Sequence, residues 1–322
     1  MAIKGSGSSL SFTEIEAEFG QNGSRSLGAY RLTQNVGSLS NLPLDSGIPT
    51  SGQIKFSDFY SKRLNVVVNC HSGGQETRKS AKNDKWNNNQ LTVIGGFRSK
   101  KEGGSKIIIN VNKRFCSDKS NTVHCALKTG SWDSTATVQV DVGSSGRILG
   151  SGGDGGRGQN GIDGSAQAGF TGTSGLGIEQ NNVTVNVASG GIIRAGFGGG
   201  GGGGGGRQVD KGEDRRASGG GGGGGAGCPP GAGGPRGTTG SLGSDGSAGT
   251  ETTGGGGGNG GNNENQAFGG SGGSGGQAQG GPGASSGGAG TNGAAIRRIS
   301  GFSVSINNSG TIAGSTNATG VG

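Results

Sequence analysis

The sequence predicts an all-β fold combined with irregular, glycine-rich structure. Three observations lead to this prediction. Glycine occupies 83 of the 322 positions, whereas hydrophobic residues make up only 27% of the chain. Short β-branched runs follow one another between clusters of Gly, Asn and Ser, which is typical of strands. A strand motif also recurs three times with fixed internal spacing, which indicates a structural repeat.

Composition and charge argue against several classes of protein. The apolar content is too low for several ordinary cores, which disfavours the common α/β enzyme folds. Only six prolines are present and the glycines follow no strict three-residue period, which argues against collagen. The net charge of +8 arises in residues 1–150, because residues 151–322 carry nine basic and nine acidic side chains. We expect no membrane span and no secretion signal, since no long apolar stretch occurs.

Residues 1–64 are predicted to form a small segment with two short helical turns. Ser11 and Glu14 make a capping box at the start of the first turn. The apolar side chains on one face of that turn are Phe12, Ile15 and Phe19. Those of the second turn are Ile54, Phe56, Phe59 and Tyr60. The segment has few residues for a core of its own, so we expect it to pack against another chain.

Residues 65–142 are predicted to form a small antiparallel β-sandwich. The runs that predict strands are residues 64–68, 91–94, 106–111 and 135–142. They are short and β-branched, and turn-forming residues separate them. In the last run, alternation places Val138, Val140 and Val142 on one face.

Residues 143–322 are predicted to be a glycine-rich unit that contains the strand repeat. An alternating strand, a turn with a glycine and a short second strand begin at Val138 and recur at Val183, 45 residues later. A third copy begins at Phe302, a further 119 residues on. Runs rich in glycine follow the first two copies.

The glycine runs at residues 198–206 and 219–225 have two interpretations. Glycine-rich chains are commonly flexible linkers. Alternatively, polyglycine II helices, which have no internal hydrogen bonds, could lie side by side and bond laterally to satisfy their backbone groups. Strand repeats beside the runs, and apolar residues within them, favour ordered polyglycine. The segments expected to form loops are 207–218, 228–242, 250–253 and 259–268.

No catalytic, cofactor or metal site is predicted. A zinc site could be imagined from Cys70, His71, His124 and Cys125, but adjacent residues on a strand point to opposite faces. Cys116 and Cys125 could face each other across a hairpin, although buried thiols are the default expectation for the cysteines. No glycine motif follows a strand and opens a helix, so none indicates a phosphate site.

Two groups of motifs resemble known phage proteins. Strand repeats followed by glycine runs, over about residues 122–322, are similar to the C-terminal regions of bacteriophage tail fibres. The polyglycine sandwich resembles the glycine-rich adhesins at the fibre tips of T-even-like phages. Separately, SLSFTEIEAEFG at residues 9–20 and GIPTSGQIKFSDFY at residues 47–60 look like N-terminal segments of structural proteins from cyanophages and other marine phages.

The resemblance implies a virion protein of the tail fibre or tail tip that is not an enzyme. Its N-terminal segment would attach to other tail or baseplate proteins through Phe12, Ile15, Phe19, Ile54, Phe56, Phe59 and Tyr60. Loops on the glycine scaffold would bind a host surface polysaccharide or outer-membrane protein. The candidate receptor contacts are Arg207, Asp210, Lys211, Glu213, Asp214, Arg215, Arg216, Arg236 and Asn262. A homotrimer is the expectation for phage fibre proteins.

Two other functions remain open from the sequence. The chain could be a capsid-decorating protein, or a neck or baseplate appendage, that does not bind a receptor. It could also be a glycine-rich nucleic-acid-binding protein. This second alternative is disfavoured, because Arg-Gly pairs are isolated and aromatic residues make up only 4% of the chain.

Overall fold

The helices of the described chain lie in its N-terminal part. The computed structural model describes residues 3–19, 26–31, 33–36, 39–43, 45, 47–70, 76–77, 79–80, 106–118, 122–261 and 286–322. Helix α1 spans Phe12–Phe19, and 3₁₀ helices span Leu27–Tyr30 and Phe56–Phe59. The backbone N–H of Ser11 donates to Glu14 Oε2 at 2.9 Å, and that of Glu14 donates to Ser11 Oγ at 3.4 Å. The predicted capping box is therefore confirmed.

Strands make up the rest of the regular structure. The early strands are β1 (Thr33–Val36), β2 (Leu39–Pro43), β3 (Val66–Cys70), β4 (Glu76–Thr77), β5 (Lys79–Ser80), β6 (Lys106–Val111), β7 (Arg114–Cys116) and β8 (Cys125–Lys128). The middle strands are β9 (Thr137–Val142), β10 (Arg147–Leu149), β11 (Ser174–Ile178), β12 (Val183–Val187), β13 (Ile192–Arg194), β14 (Gly206–Asp210) and β15 (Glu213–Ala217). The last strands are β16 (Ile296–Arg298), β17 (Val304–Asn308), β18 (Thr311–Ala313) and β19 (Ala318–Thr319). The strand predicted at residues 91–94 lies outside the described residues.

Fifteen of these strands build three parallel sheets of five strands each. The first sheet has the order β17-β12-β9-β6-β3, the second β18-β13-β10-β7-β4 and the third β19-β16-β11-β8-β5. Each turn of the chain thus adds one strand to every sheet, which produces a three-sided solenoid. We number its coils 1 to 5, beginning with β3, β6, β9, β12 and β17.

The antiparallel sandwich predicted for residues 65–142 is wrong. The strands in that region pair in parallel and form the first coils of the solenoid. Alternation of apolar and polar residues reports which side of a strand is buried, but it carries no information about strand direction. The turn signals between the strands also do not close hairpins, because each one leads to the next sheet.

The solenoid encloses an apolar core to which all three sheets contribute. Val140 and Val185 come from the first sheet, Ile148 from the second, and Leu127 and Leu176 from the third, and all are fully buried. Because parallel strands put side chains at the same register on top of one another, the core consists of stacked aliphatic rows. This burial explains the alternating valines of the sequence.

The predicted repeat is confirmed as coils 3, 4 and 5, with one correction. Val138 pairs with Val183, and Ile148 pairs with Ile193, at the predicted shift of 45 residues. In the third copy, however, Val183 pairs with Val304 and not with Phe302. Shifting a strand by two residues keeps the same side chains inside, so alternation alone cannot tell the two registers apart.

Two glycine-rich insertions leave the solenoid between the second and third sheets. The first is residues 150–173, between β10 and β11, and the second is residues 195–295, between β13 and β16. The second insertion contains the antiparallel hairpin of β14 and β15. Residues 262–285 lie outside the described residues. They include Phe268, the apolar residue of the loop predicted at 259–268.

The glycine-rich insertions are held together by lateral backbone hydrogen bonds. Gly200 N–H donates to Gly223 O and Gly203 N–H donates to Gly220 O, both at 2.8 Å, so the two predicted glycine runs are bonded to each other. Along each segment, the backbone N–H groups that donate to the same neighbouring segment are three residues apart. The segments lie so close that a Cβ built at Gly222 would overlap the carbonyl oxygen of Gly200. The backbone of glycine therefore forms the interior here.

This hydrogen bonding corrects the loop predicted at residues 228–242. Gly231, Gly234 and Gly237 donate to Gly225, Gly222 and Gly219 at 2.7–2.9 Å. Residues 229–240 are thus another packed segment of the glycine-rich insertions. In the sequence, the three-residue spacing of these glycines was the pattern that could have predicted a packed segment here. The loop at residues 250–253 is a turn, in which Thr250 N–H donates to Thr253 O.

A disulfide connects the glycine-rich insertions to the solenoid. Cys116 of β7 is bonded to Cys228, so the expectation of thiols at these two positions is wrong. The partners are 112 residues apart, and no local spacing could have paired them. Cys70 and Cys125 are buried and take no part in the disulfide.

A second apolar cluster, which we call the N-terminal cluster, lies outside the solenoid. Its fully buried members include Ile15, Phe19, Tyr30 and Phe59, and it packs on Ile108 of β6. The buried carboxylate of Glu18 accepts a hydrogen bond from Leu64 N–H at 3.0 Å. The expectation that this segment has too few residues for a core of its own is therefore wrong, and its packing against another chain stays a prediction.

Candidate functional site

The candidate receptor contacts concentrate on a hairpin, where the sequence had predicted a loop. Strands β14 and β15 pair from Gly206 with Ala217 to Asp210 with Glu213. Lys211 and Gly212 form the turn, with φ angles of 48° and 85°. Two-residue hairpin turns favour positive φ at both central positions, because the backbone twist then matches that of the strands. In the sequence, the Lys-Gly pair between two polar runs was the pattern that could have predicted this hairpin.

The hairpin lies at the end of the glycine-rich insertions that is remote from the solenoid. Phe197 N–H donates to Ala226 O, and the later pairs Gly200–Gly223 and Gly203–Gly220 follow in reverse order. The chain therefore runs outward from β13, turns through the hairpin and returns to Cys228 at the disulfide. We call this remote end, formed by residues 160–164, 206–217 and 238–242, the distal end.

Ion pairs fix the charged side chains of the distal end. Arg207 Nε lies 2.8 Å from Asp214 Oδ1, and Arg215 Nη2 lies 2.6 Å from Glu213 Oε2. Arg216 bridges Asp214 and Asp163, with 3.1 Å to each carboxylate. Exposed pairs of this kind contribute little stability singly. They do set the directions in which the guanidinium groups point.

Asp214 is the central acceptor of this network. Desolvation opposes its ionisation, but the hydrogen bonds from Arg207 and Arg216 outweigh that effect and lower the pKa of Asp214 below its ordinary value. The carboxylate is therefore ionised at neutral pH, and the pairs persist there. The acidic and basic groups largely balance, so the distal end is not a simple anion-binding surface.

Two aliphatic side chains stand among these charges. Val209 on β14 is 60% exposed and Leu242, in the neighbouring turn, is 51% exposed. Both are large apolar residues that the fold does not cover. Val209, which lies on the hairpin itself, is therefore a further candidate contact.

The remaining candidate contacts fall elsewhere. The backbone N–H of Arg236 donates to Asp245 Oδ1 at 2.9 Å, on the side of the glycine-rich insertions. Asn262 lies outside the described residues. Sequence reasoning missed Asn160, whose side chain accepts from Thr238 N–H at 2.8 Å, and Asp163. The Asn-Gly and Asp-Gly pairs at 160–161 and 163–164 were the turn signals that could have found them.

Six of the seven candidate attachment residues belong to the N-terminal cluster or pack against it. Ile15, Phe19 and Phe59 are fully buried in it, whereas Phe12, Ile54 and Phe56 are partly buried at its margin. The rings of Phe12 and Phe56 meet edge to face, with centroids 4.9 Å apart. The hydroxyl of Tyr60 donates to the carbonyl oxygen of Ser8 at 2.5 Å. Only the marginal side chains have surface to offer a partner.

The described residues contain neither a candidate metal cluster nor a membrane-spanning helix. No group of three or more His, Cys, Asp or Glu side chains in that part of the chain could hold a metal ion. None of the helices there is long and apolar enough to cross a membrane.

Comparison with known proteins decides the family. The family described as phage tail fibre adhesin Gp38 matches residues 67–317, more than three quarters of the chain. The chain belongs to this adhesin family. It is accordingly a protein of the phage tail, and the region matched includes both the solenoid strands and the glycine-rich insertions of the adhesin.

The chain can also be compared with curated proteins and with solved structures. No curated protein matches the adhesin. A similar solved structure is described as the crystal structure of the gp37-gp38 adhesin tip complex of the bacteriophage S16 long tail fiber. The two chains are 22% identical, with a TM-score of 0.41, and the alignment covers 98% of this chain and 99% of that one.

Proposed function

We propose that the adhesin binds a host surface receptor, a polysaccharide or an outer-membrane protein, through its distal end. The observation that carries the proposal is that the hairpin with seven charged candidate contacts lies at the distal end of the glycine-rich insertions. These residues are Arg207, Asp210, Lys211, Glu213, Asp214, Arg215 and Arg216. Binding residues are commonly found on turns that a rigid scaffold holds out from the body of a protein.

The scaffold suits this task because its segments support one another along their whole length. Where the described residues include the end of a hydrogen-bonded segment, that end is a turn at the distal end or at the solenoid, so these turns can vary without altering the interior. We propose that the scaffold is of the polyglycine II type, since its lateral donors recur every three residues. Backbone φ and ψ angles of about −75° and +145° in residues 198–206 would support this assignment. Angles typical of β-strands would contradict it.

We further propose that successive parts of the chain have different roles. Residues 1–64 would attach the adhesin to another tail or baseplate protein through the exposed margin formed by Phe12, Ile54 and Phe56. The solenoid, which begins at β3 and ends at β19, would form the structural middle, and the glycine-rich insertions at residues 150–173 and 195–295 the receptor-binding part. The chain buries its apolar core without other copies, so the homotrimer stays a prediction that native mass spectrometry of the purified adhesin would test.

A competition experiment tests receptor binding. Purified adhesin is added to host cells before infection, and phage adsorption is measured. The wild-type chain should reduce adsorption, whereas a Val209→Ser, Arg215→Ser variant should compete at least tenfold less well. Arg157→Ser removes an exposed arginine from the side of the scaffold and serves as the matched control. Equal competition by all three proteins would overturn the assignment of the receptor site to the hairpin.

A further inference from the structure

The outer face of the first sheet over coils 3 to 5 is a grid of hydrogen-bonding side chains, in whose two rows Asp141 is the charged member. Valines and Ile306 occupy the inward positions of β9, β12 and β17, so the side chains between them point outward. The outward rows in register are Gln139, Thr184 and Ser305, and Asp141, Asn186 and Asn307. The grid measures about 7 Å along the strands and about 10 Å across them.

Asp141 fixes the orientation of the amides in this grid. Its side chain accepts from Gln139 Nε2 at 2.8 and 2.9 Å and from Asn186 Nδ2 at 2.7 Å. Asn186 Oδ1 in turn accepts from Asn307 Nδ2 at 2.8 Å. Asp141 stands in the same row as Asn186 and Asn307 and is only 6% exposed, and its carboxylate directs the polarity of the chain of amides beside it. Donors and acceptors on this face are therefore preorganised.

Two shallow grooves follow these rows. One, of about 380 Å³, is lined by residues that include Gln139, Thr184 and Ser305. The other, of about 230 Å³, is lined by residues that include Asp141, Asn186 and Asn307. Among their described lining residues, Lys106 and the buried Asp141 are the charged ones. The outer face of the second sheet differs, because Arg114 and Arg147 lie there against Glu251.

The chemistry of the face selects the class of ligand. Nucleic acid and anionic polymers need a cluster of cations, which the lining residues of these grooves do not provide. A protein partner would need apolar or aromatic anchors at the centre of the interface. A row of oriented amides and hydroxyls instead matches a ligand that is neutral and rich in hydroxyl groups.

We propose that this face is a saccharide-binding site separate from the distal end. We call the site, which comprises the two grooves just described, the first-sheet groove. Asn186, Asn307 and Gln139 supply oriented amides, Thr184 and Ser305 supply hydroxyls, and Asp141, in the same row as the two asparagines, is the positioning residue. The site would let the adhesin hold a neutral glycan of the host surface along the side of the solenoid.

Side-chain amide spectroscopy tests the site directly. The full chain, labelled at asparagine, is titrated with maltohexaose, cellohexaose and chitohexaose. At least one of these probes should shift the amide signals of Asn186 and Asn307 saturably. Absence of a saturable shift with all three probes would overturn the proposal, and so would shifts confined to other asparagines.

Variants separate this site from general effects. Asn307→Leu and Ser305→Leu change exposed positions, so both should fold, and each should weaken binding at least tenfold. Asn317→Leu, an equally exposed asparagine between β18 and β19, should bind like the wild type. The distal variant Val209→Ser, Arg215→Ser should also retain saccharide binding, which distinguishes this site from the receptor site. Unchanged binding in Asn307→Leu and Ser305→Leu would contradict the assignment.

Discussion

Cys116, at the end of β7 in coil 2, is joined by a disulfide to Cys228 in the glycine-rich insertions. Arg114 Nη2 lies 3.0 Å from the sulfur of Cys228, and the same guanidinium pairs with Glu251 at 2.7 Å. Glu251 belongs to the turn at residues 250–253. Two turns of the glycine-rich insertions are thus fastened to the solenoid at one place, by a covalent bond and by an ion pair.

Loss of this disulfide should destabilise the protein. Closing a loop of 112 residues restricts the unfolded chain, and disulfides of this kind contribute about 2–5 kcal/mol to the free energy of unfolding. Cys228→Ser should lower the urea midpoint, and reductant should lower that of the wild type by a similar amount. Reductant should have no further effect on Cys228→Ser. Equal midpoints for wild type and Cys228→Ser in the absence of reductant would show that the bond does not stabilise the fold.

Adding a methyl group inside the glycine-rich insertions should disrupt their packing. In Gly222→Ala the new Cβ would overlap the carbonyl oxygen of Gly200, and backbone atoms cannot move aside as a flexible side chain can. Overpacking of this kind typically costs about 1–3 kcal/mol. Amide exchange of residues 198–206 should accelerate, because their hydrogen bonds to residues 219–225 would loosen.

Gly256→Ala is the matched control for this substitution. A Cβ at Gly256 meets nothing within 4 Å, so exchange rates and stability should match those of the wild type. If Gly222→Ala were equally well tolerated, the close lateral packing described here would be incorrect.

Acid should weaken the start of helix α1. The side chain of Lys4 and then the backbone N–H of Ser11 lower the pKa of Glu14 from 4.5 to about 2. The folded pKa lies below the unfolded one, so the stabilisation is fully present above pH 4.5 and is lost as the pH falls towards 2. Carboxyl chemical shifts should report a midpoint for Glu14 well below that of an ordinary glutamate.

Glu14→Gln provides the control for the acid titration, since it cannot ionise. The helix Phe12–Phe19 in this variant should show no pH dependence over that range beyond what its other carboxylates cause. A midpoint of about 4.5 for Glu14 in the wild type would contradict the capping geometry.

Alkaline pH should act on the N-terminal cluster through Tyr30. Burial, and secondarily the charge of Glu16, raises the pKa of Tyr30 from 10.0 to about 12. Because the folded pKa is the higher one, the stabilisation is complete below pH 10 and is lost as the pH rises towards 12. The chain has two tyrosines, so Tyr60→Phe isolates the signal of Tyr30. Tyrosinate absorbance that appears near pH 10 while the protein stays folded would contradict this prediction.

The sequence predicted those features that depend on local pattern. The capping box of Ser11 and Glu14, the alternating strands at Val138 and Val183, and the bonding between the two glycine runs all follow from residues close together in the chain. Alternation and capping act over a few residues, so a single sequence records them.

Features that depend on distant parts of the chain were missed. The parallel direction of β6 and β9 follows from where each connection leads, and the disulfide of Cys116 with Cys228 follows from how an insertion folds back. The pairing of Val183 with Val304 depends on a shorter turn at Ser309 and Gly310. At the candidate site, the hairpin residues were found because they are charged, whereas Asp163 was missed because it lies 53 residues from its partner Arg216.

Both glycine-rich insertions start at the end of a second-sheet strand and finish at the start of a third-sheet strand, in consecutive coils. Leu149 and Arg194, where they begin, are held by parallel neighbours, as are Leu176 and Ile296, where the chain rejoins the solenoid. The two insertions are also hydrogen-bonded to each other, through pairs such as Gly156 N–H with Gly200 O. If the distal end binds the receptor as proposed, exchanging both insertions together should change the host while the solenoid continues to fold around the same stacked rows.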